Sequence, residues 1–189
     1  LRAAYAPGAE RTMLEGLARL RYPEGLRFLQ VQDDKMFASW LTDAPRTFDE
    51  IADRFDVEVH EGSHYWDFKH AKPGKSMYAV HAQLTLEPKR GKTFDRSEIL
   101  GAHLDRANDS YADIYLTGKS GAQGFHVLLD EYNAYIHGLA ARYCTRDLIP
   151  ERRQLSARDG VLTMMYYVEV YLALAREKHP RDYAAIVGD

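Results

Sequence analysis

Two histidines four positions apart enclose a glutamate in the segment His60-Glu61-Gly62-Ser63-His64, which has the form HExxH. Residues four apart on an α-helix lie on one face, about 6 Å from each other along the axis, so both imidazoles can reach one metal ion. Neutral imidazole nitrogens bind zinc at about 2.0–2.1 Å. Glu61 would then lie beside the metal, where it could act as general base toward a zinc-activated water molecule. The spacing therefore predicts a zinc site with His60 and His64 as ligands.

The motif needs a helix, and the surrounding sequence predicts one from about residue 48 to residue 70. Thr47 and Glu50 have the spacing of a capping box, and the segment Lys72-Pro73-Gly74 supplies a stop. Gly62 weakens the helix propensity by about 1 kcal/mol relative to alanine. Apolar residues nevertheless recur at helical spacing up to the motif: Phe48, Ile51, Ala52, Phe55 and Val59.

A catalytic zinc ion has three protein ligands and one open position, so the two histidines need a third ligand. We expect Glu131, which lies among apolar residues on a second predicted helix and is followed at i+3 by the small residue Ala134. His70 is an alternative if the chain turns out of the helix at Asp67, a turn that glycine would make more easily. Asp67 is a further alternative, but its short side chain is better placed to hydrogen-bond the outer ring nitrogen of His64.

The segment His60-Glu61-Gly62-Ser63-His64 with Asp67, followed by Glu131-Tyr132-Asn133-Ala134, resembles gluzincin-type zinc metallopeptidases, whose third ligand is a glutamate on a later helix. The Glu-x-x-Ala form is more similar to the lethal-factor type than to thermolysin, because Tyr135 stands where thermolysin has an aspartate. Two short motifs carry this resemblance. It implies a zincin-like metallopeptidase domain, a Zn²⁺ cofactor and a peptide or protein substrate.

The expected reaction is hydrolysis of a peptide bond by a zinc-activated water molecule, with Glu61 as general base. A hydrogen-bond donor to the oxyanion should complete the site. Tyr135, one turn beyond Glu131, is the first choice for this catalytic role. The alternatives are Tyr115, His126 and His137. The alternative function, from another class, is that of a catalytically inactive zinc-binding or interaction protein on a peptidase scaffold. In such a protein a metal ion would raise stability, but no peptide would be hydrolysed.

The rest of the chain predicts an α+β, mainly α fold: one domain of residues 1–189 with a long active-site helix and a small antiparallel sheet. Further helices are predicted over residues 10–20, 97–117 and 125–143, and from Ser156 or Asp159 to Lys178. Strands are predicted over residues 26–31, 36–41 and 76–86, with Asp33-Asp34-Lys35 as the turn between the first two. An exposed strand edge ahead of the metal helix could hold an extended peptide.

Composition narrows the functional classes. The 189 residues are 46% hydrophobic and 28% charged, as in ordinary globular proteins, and the net charge of −3 argues against a nucleic-acid partner. No apolar run approaches the roughly 20 residues needed to span a bilayer. Cys144 is the single cysteine, so we expect neither a disulfide framework nor a thiolate zinc site. If a leader was removed before Leu1, the protein would be secreted or periplasmic; the compartment is otherwise unknown.

Overall fold

The structure is a computed structural model that describes residues 1–41, 47–149 and 158–188. Within these ranges the chain is mainly helical with one small antiparallel sheet, as the sequence predicts. The helices are α1 (Glu10–Arg21), α2 (Gly25–Val31), α3 (Asp34–Trp40), α4 (Phe48–Asp53), α5 (Phe55–His70), α6 (Ala112–Tyr115), α7 (Gly118–Gly121), α8 (Phe125–Thr145), α9 (Arg158–Lys178) and α10 (Pro180–Val187). The strands are β1 (Tyr78–His81) and β2 (Leu84–Leu86), paired with Tyr78 opposite Leu86. Every helix in the described ranges is too short or too polar to span a bilayer.

The HExxH motif lies inside α5, as predicted, but the predicted helix over residues 48–70 is two helices. The capping box is present: Glu50 N donates to Thr47 Oγ1 at 3.3 Å, and Thr47 N donates to Glu50 Oε2 at 3.2 Å. The helix then breaks at Arg54, whose backbone N–H bonds back to Ile51 O at 3.1 Å in a tight turn. The break lets α4 pack against α1, while α5 packs between α2 and α8.

The strands predicted over residues 26–31 and 36–41 are wrong, because this region forms the helices α2 and α3. The buried residues Gly25, Phe28, Leu29 and Gln32 follow the helical period i, i+3, i+4, i+7 and not the alternation of a strand. The sequence predicts a turn at Asp33, but this residue is the N-cap of α3, where its side chain accepts a hydrogen bond from Met36 N at 2.8 Å.

The helix predicted over residues 97–117 is also wrong. Two 3₁₀ segments (Arg96–Gly101 and Arg106–Asn108) and the single turn α6 occupy this range. Local side-chain bonds replace the helical ones: Tyr111 N donates to Asp109 Oδ1 at 2.9 Å, and Asp105 N donates to His103 Nδ1 at 3.1 Å. Such bonds stabilise turns at the expense of a regular helix.

The two long C-terminal helices are confirmed with small changes at their ends. Helix α8 covers the predicted residues 125–143 and continues to Thr145. Helix α9 begins at Arg158, one residue before the proposed start at Asp159, and it ends at Lys178 as predicted; the alternative start, Ser156, lies outside the described residues. The strand predicted over residues 76–86 is the hairpin of β1 and β2. The sequence analysis does not predict helix α10, because it treats Pro180 as the end of α9. Proline also suits the first turn of a new helix, which is its place in α10.

Helix α8 joins two hydrophobic clusters. Ala141 packs in the cluster formed with α1, α2, α4 and α5, while Phe125 and Leu128 pack in the cluster formed with α9. Small residues allow α5 to approach its neighbours closely. A Cβ atom on Gly62 would lie 2.3 Å from the carbonyl oxygen of Phe28 in α2, and one on Gly138 would lie 3.3 Å from Asp56 O in α5. The glycine within the HExxH motif is therefore required by helix packing.

Candidate metal centre

Three potential ligand atoms, two on α5 and one on α8, meet between these helices. His60 Nε2 and His64 Nε2 are 3.3 Å apart. Glu131 Oε2 lies 3.4 Å from His64 Nε2 and 4.0 Å from His60 Nε2. Among the described residues, this group of His60, His64 and Glu131 is the one set of at least three acidic, histidine or cysteine side chains arranged so that it could hold a metal ion.

Each histidine is oriented through its other ring nitrogen. His64 Nδ1 lies 2.7 Å from Asp130 Oδ2, so it donates to that carboxylate. His60 bonds to the backbone carbonyl of Ala134, one turn beyond Glu131. Partners of this kind fix the ring orientation, so that Nε2 is directed into the site and can bind a metal ion in its deprotonated form. The sequence analysis assigns no role to Asp130.

Burial and the charges of neighbouring groups shift the pKa values of His60, His64 and Glu131 in different directions. Burial lowers the pKa of His60 to about 3, so this imidazole is neutral at pH 7. Burial alone would also lower the pKa of His64, but its bonds to Asp130 and Glu131 raise that pKa well above its usual value. Burial opposes the charge on Glu131 too, yet the bond and charge of His64 lower the pKa of this carboxyl. Without metal, therefore, a charged pair of His64 and Glu131 lies beside a neutral His60.

Glu61 lies next to the three potential ligands without belonging to the group. Its side chain is half-buried, and its charge interacts with His64 and Glu131. Burial is the largest cause that raises the pKa of Glu61, to about 7; the negative charge of Glu131 adds to this and His64 opposes it. A carboxyl of this kind is able to exchange a proton near neutral pH.

The two alternative third ligands are held elsewhere. Helix α5 runs through Asp67 without turning out, and His70 Nδ1 donates to Trp66 O at 2.7 Å while its ring stacks on the Trp66 indole. Asp67 Oδ1 accepts from Ala79 N at 2.9 Å, so it ties β1 to α5 and does not orient His64. The structure gives that orienting contact to Asp130.

Tyr135 and Tyr115, the two tyrosines considered as oxyanion donors, form a pair at the edge of the site. Their hydroxyl oxygens are 2.8 Å apart. The Tyr135 ring packs edge-on against His60 with centroids 4.6 Å apart. Burial raises the pKa of both phenols; for Tyr115 the pKa reaches about 12, with Glu131 and Glu61 adding to the rise. Only one hydroxyl hydrogen can lie between the two oxygens, so the other remains able to donate to a different group.

The two histidines considered as donors have structural partners. His137 is buried; its Nε2 donates to Ala79 O at 2.5 Å, and its Nδ1 therefore accepts from the Tyr22 hydroxyl at 2.7 Å. His126 Nε2 accepts from Arg90 Nε at 3.2 Å. Its Nδ1 is buried and has no hydrogen-bond partner within the described part of the chain.

A cavity of about 200 Å³ lies beside His64, the one of the three potential ligands that lines it, and is also bordered by Asp130, His126 and Arg90 among others. A small molecule or a peptide segment could enter this space next to His64. No known protein family, no curated protein and no solved structure matches this chain. The function must therefore be inferred from the geometry and chemistry of the site itself.

Proposed function

We propose that this protein is a zinc-dependent metallopeptidase in which His60, His64 and Glu131 hold the metal. The observation that carries the proposal is the triangle of ligand atoms, with edges of 3.3, 3.4 and 4.0 Å. Ligands about 2.0–2.1 Å from a tetrahedral ion lie about 3.3–3.4 Å from one another. Two edges have this length, and a shift of the Glu131 carboxylate by about 0.6 Å would give the third. A neutral imidazole, an imidazole oriented by a carboxylate and a glutamate are a ligand set typical of catalytic zinc.

When bound, zinc would polarise a carbonyl oxygen and lower the pKa of a coordinated water molecule to about 7. The Glu61 carboxylate takes up a proton from the attacking water molecule and passes it to the leaving amine. Its position suits this role, because it follows the ligand His60 directly and interacts with both His64 and Glu131. Asp130 and the Ala134 carbonyl hold the two imidazoles in place throughout.

The tyrosine pair completes the proposed site. Tyr135 donates its hydroxyl hydrogen to Tyr115, and the hydrogen of Tyr115 then remains free to stabilise negative charge on the substrate oxygen. Two observations support this assignment: the hydroxyls are 2.8 Å apart, and both Glu61 and Glu131 act on the pKa of Tyr115. Tyr135 thus keeps a part in the reaction by positioning Tyr115.

The zincin-like character of the fold belongs to the same proposal. It rests on an HExxH helix, α5, packed beside a later helix, α8, that carries the glutamate. The sheet is arranged differently from the prediction, because both strands follow α5 and the region ahead of the motif is helical. The likeness therefore concerns the two metal-bearing helices.

An inactive zinc-binding or interaction protein is the second candidate, and one observation favours it. The backbone groups of Ala79 in β1 that point away from β2 are already used: Ala79 N donates to Asp67, and Ala79 O accepts from His137. An extended peptide cannot pair with β1 at this residue. Such a protein would gain stability from zinc without cleaving peptides.

Metal analysis combined with two isosteric substitutions tests the proposal. The purified protein should take up one equivalent of zinc after chelation and add-back, with a rise in melting temperature. Glu131→Gln should lose zinc, whereas Glu61→Gln should keep it and lose about 100- to 10,000-fold in the rate of peptide cleavage. His70→Ala is the matched control and should retain both zinc and activity, since this exposed ring packs on Trp66.

The outcomes separate the two candidates. A protein that takes up no zinc would refute the peptidase and leave only a metal-free interaction protein. Zinc uptake with a stabilised fold, but no cleavage of a peptide library by the wild type, would favour the non-catalytic protein. Cleavage by Glu61→Gln at the wild-type rate would remove Glu61 from the mechanism.

A further inference from the structure

The cavity beside His64 has two cations on its lining, Lys75 and Arg90. The two carboxylates on the same lining are engaged with protein groups: Asp130 with His64 at 2.7 Å, and Asp67 with Ala79 N at 2.9 Å. Lys75 Nζ lies 3.9 Å from Glu87, in a weak exposed pair. Asp130 therefore has a charged partner at hydrogen-bond distance, whereas within the described ranges neither lining cation has an ion pair shorter than 3.9 Å.

Arg90 is fixed at its base, and its two terminal nitrogens are free. Its backbone N–H donates to Gly74 O at 2.8 Å, and its Nε donates to His126 Nε2 at 3.2 Å. Within the described ranges, Nη1 and Nη2 of Arg90 have neither a hydrogen-bond nor an ion-pair partner. His126 itself lies on α8 one turn before Asp130, the residue that orients His64.

A planar guanidinium with free N–H groups is suited to a carboxylate, which it can bind through two parallel hydrogen bonds. The bond to His126 reduces the conformational freedom that Arg90 would lose on binding. A lysine ammonium at the same place would offer charge without this geometry. The contacts of Arg90 thus leave its guanidinium oriented and able to bind a carboxylate.

We propose that Arg90 binds a carboxylate of the peptide substrate, so that the site takes acidic peptides; this inference rests on the proposed peptidase function. An acidic side chain and a free C-terminus present the same chemical group. In either case the carboxylate lies in the cavity that starts at the candidate ligand His64, and the neighbouring peptide bond extends toward the metal centre.

Binding of fluorescent peptides to the metal-free protein tests this without relying on catalysis. One peptide series differs only by Glu or Gln at a single position, scanned along the sequence; the other differs only by a free or amidated C-terminus. Fluorescence anisotropy should show about 5- to 10-fold tighter binding of the carboxylate member in one series. The series that shows the difference identifies the source of the carboxylate.

Arg90→Ala should abolish this preference, Arg90→Lys should keep a part of it, and His126→Phe should weaken it because Arg90 loses its support. Lys69→Ala is the matched control: it removes an exposed cation near the end of α5 that does not line the cavity, and it should leave the preference unchanged. Circular dichroism and melting temperature establish that each variant is folded.

Equal binding of both members of each series, no binding of any peptide, or an unchanged preference in Arg90→Ala would overturn the inference. Zinc stoichiometry and cleavage are measured separately, so that result would leave the peptidase proposal standing if both are observed. The opposite combination, a carboxylate preference that depends on Arg90 in a protein that takes up no zinc, would overturn the peptidase proposal and retain the carboxylate site.

Discussion

Gly62 offers a test in which helix propensity and tertiary packing predict opposite signs. Replacing a mid-helix glycine by alanine should stabilise α5 by about 1 kcal/mol if only propensity mattered. The structure predicts the reverse, because a Cβ at this position would lie 2.3 Å from Phe28 O and 2.6 Å from Gln32 Nε2. The first of these atoms belongs to the backbone of α2 and cannot rotate away.

The size of the effect follows from the displacement that is needed. Restoring a contact of about 3.4 Å requires α5 and α2 to separate locally by about 1 Å, and overpacking of this kind typically costs about 1–3 kcal/mol. Gln32 would also be pushed from its bonds to Phe28 O and Glu58 O. Subtraction of the propensity gain of about 1 kcal/mol leaves an overpacking cost of about 0–2 kcal/mol, and disturbance of the Gln32 bonds adds about 1 kcal/mol. Gly62→Ala should therefore lower the free energy of unfolding by about 1–3 kcal/mol, or the melting temperature by about 2–12 °C.

Thermal and urea unfolding of the metal-free protein are the assays, with Gly16→Ala as the matched control. Gly16 also lies inside a helix, α1, but its added Cβ would meet only the two terminal methyl carbons of Leu1, at 3.0 and 3.9 Å. This flexible group can move, so the control should be neutral or stabilising by up to about 1 kcal/mol. If Gly62→Ala stabilises the protein as much as Gly16→Ala does, the close approach of α5 and α2 is wrong, and the positions of both histidines would be in question.

Three further predictions concern the site and its surroundings. Asp130→Asn should weaken zinc affinity by about 10- to 100-fold in a competition titration with a chelator, because His64 loses the carboxylate that orients it. Tyr115→Phe should lower kcat by about 100-fold or more at unchanged zinc content, and Tyr135→Phe by less; equal rates for wild type and Tyr115→Phe would exclude the proposed donor. Burial raises the pKa of Glu58 to about 8, so metal-free wild type should lose about 3 kcal/mol more stability than Glu58→Gln as the pH rises from 5 to 8; urea unfolding of both proteins at both pH values measures the difference.

The sign of the Glu58 effect follows from the two protonation states. The unfolded carboxyl releases its proton near its ordinary pKa of about 4.3, while the folded one keeps it up to about pH 8. Between these values the folded state holds more protons, so its stability falls with rising pH. Glu58 is fully buried against Gln32 and lies on the opposite side of α5 from His60, so the comparison does not involve the metal ligands.

Local signals predicted the elements that depend on local sequence. The capping box at Thr47, the helical period before His60 and the long apolar stripe of α8 each specify a helix without reference to the rest of the fold, and each is present. The strand predictions within residues 26–41 are wrong because short apolar runs fit both the helical and the strand period. Which of the two forms depends on the residues that pack against α5. Aspartate suits both a turn and a helix N-cap, and the bond from Met36 N makes Asp33 a cap.

The part of the candidate site that depends on helical spacing could be predicted from the sequence. His60 and His64 lie on one face because they are four apart, and the structure brings Glu131 to them through the packing of α8 on α5. Asp130 could have been suspected, since a carboxylate beside a ligand position lies about 100° away on the same helix. Arg90 could not: its proximity to His126 arises from the chain that returns from β2, and no local pattern encodes that contact.

The helical region ahead of the motif changes how a substrate could be held. Strand pairing would have anchored a peptide by its backbone, with little dependence on its charge. In this structure the outward groups of Ala79 are bonded to Asp67 and His137, so β1 cannot supply that anchor at this residue. Arg90 bonds to His126 on the lining of the cavity beside His64, and the proposed carboxylate site there would be an anchor of another kind. A peptidase built in this way would select substrates by a carboxylate at a set distance from the cleaved bond, and moving that carboxylate along a peptide should move the cleavage position with it.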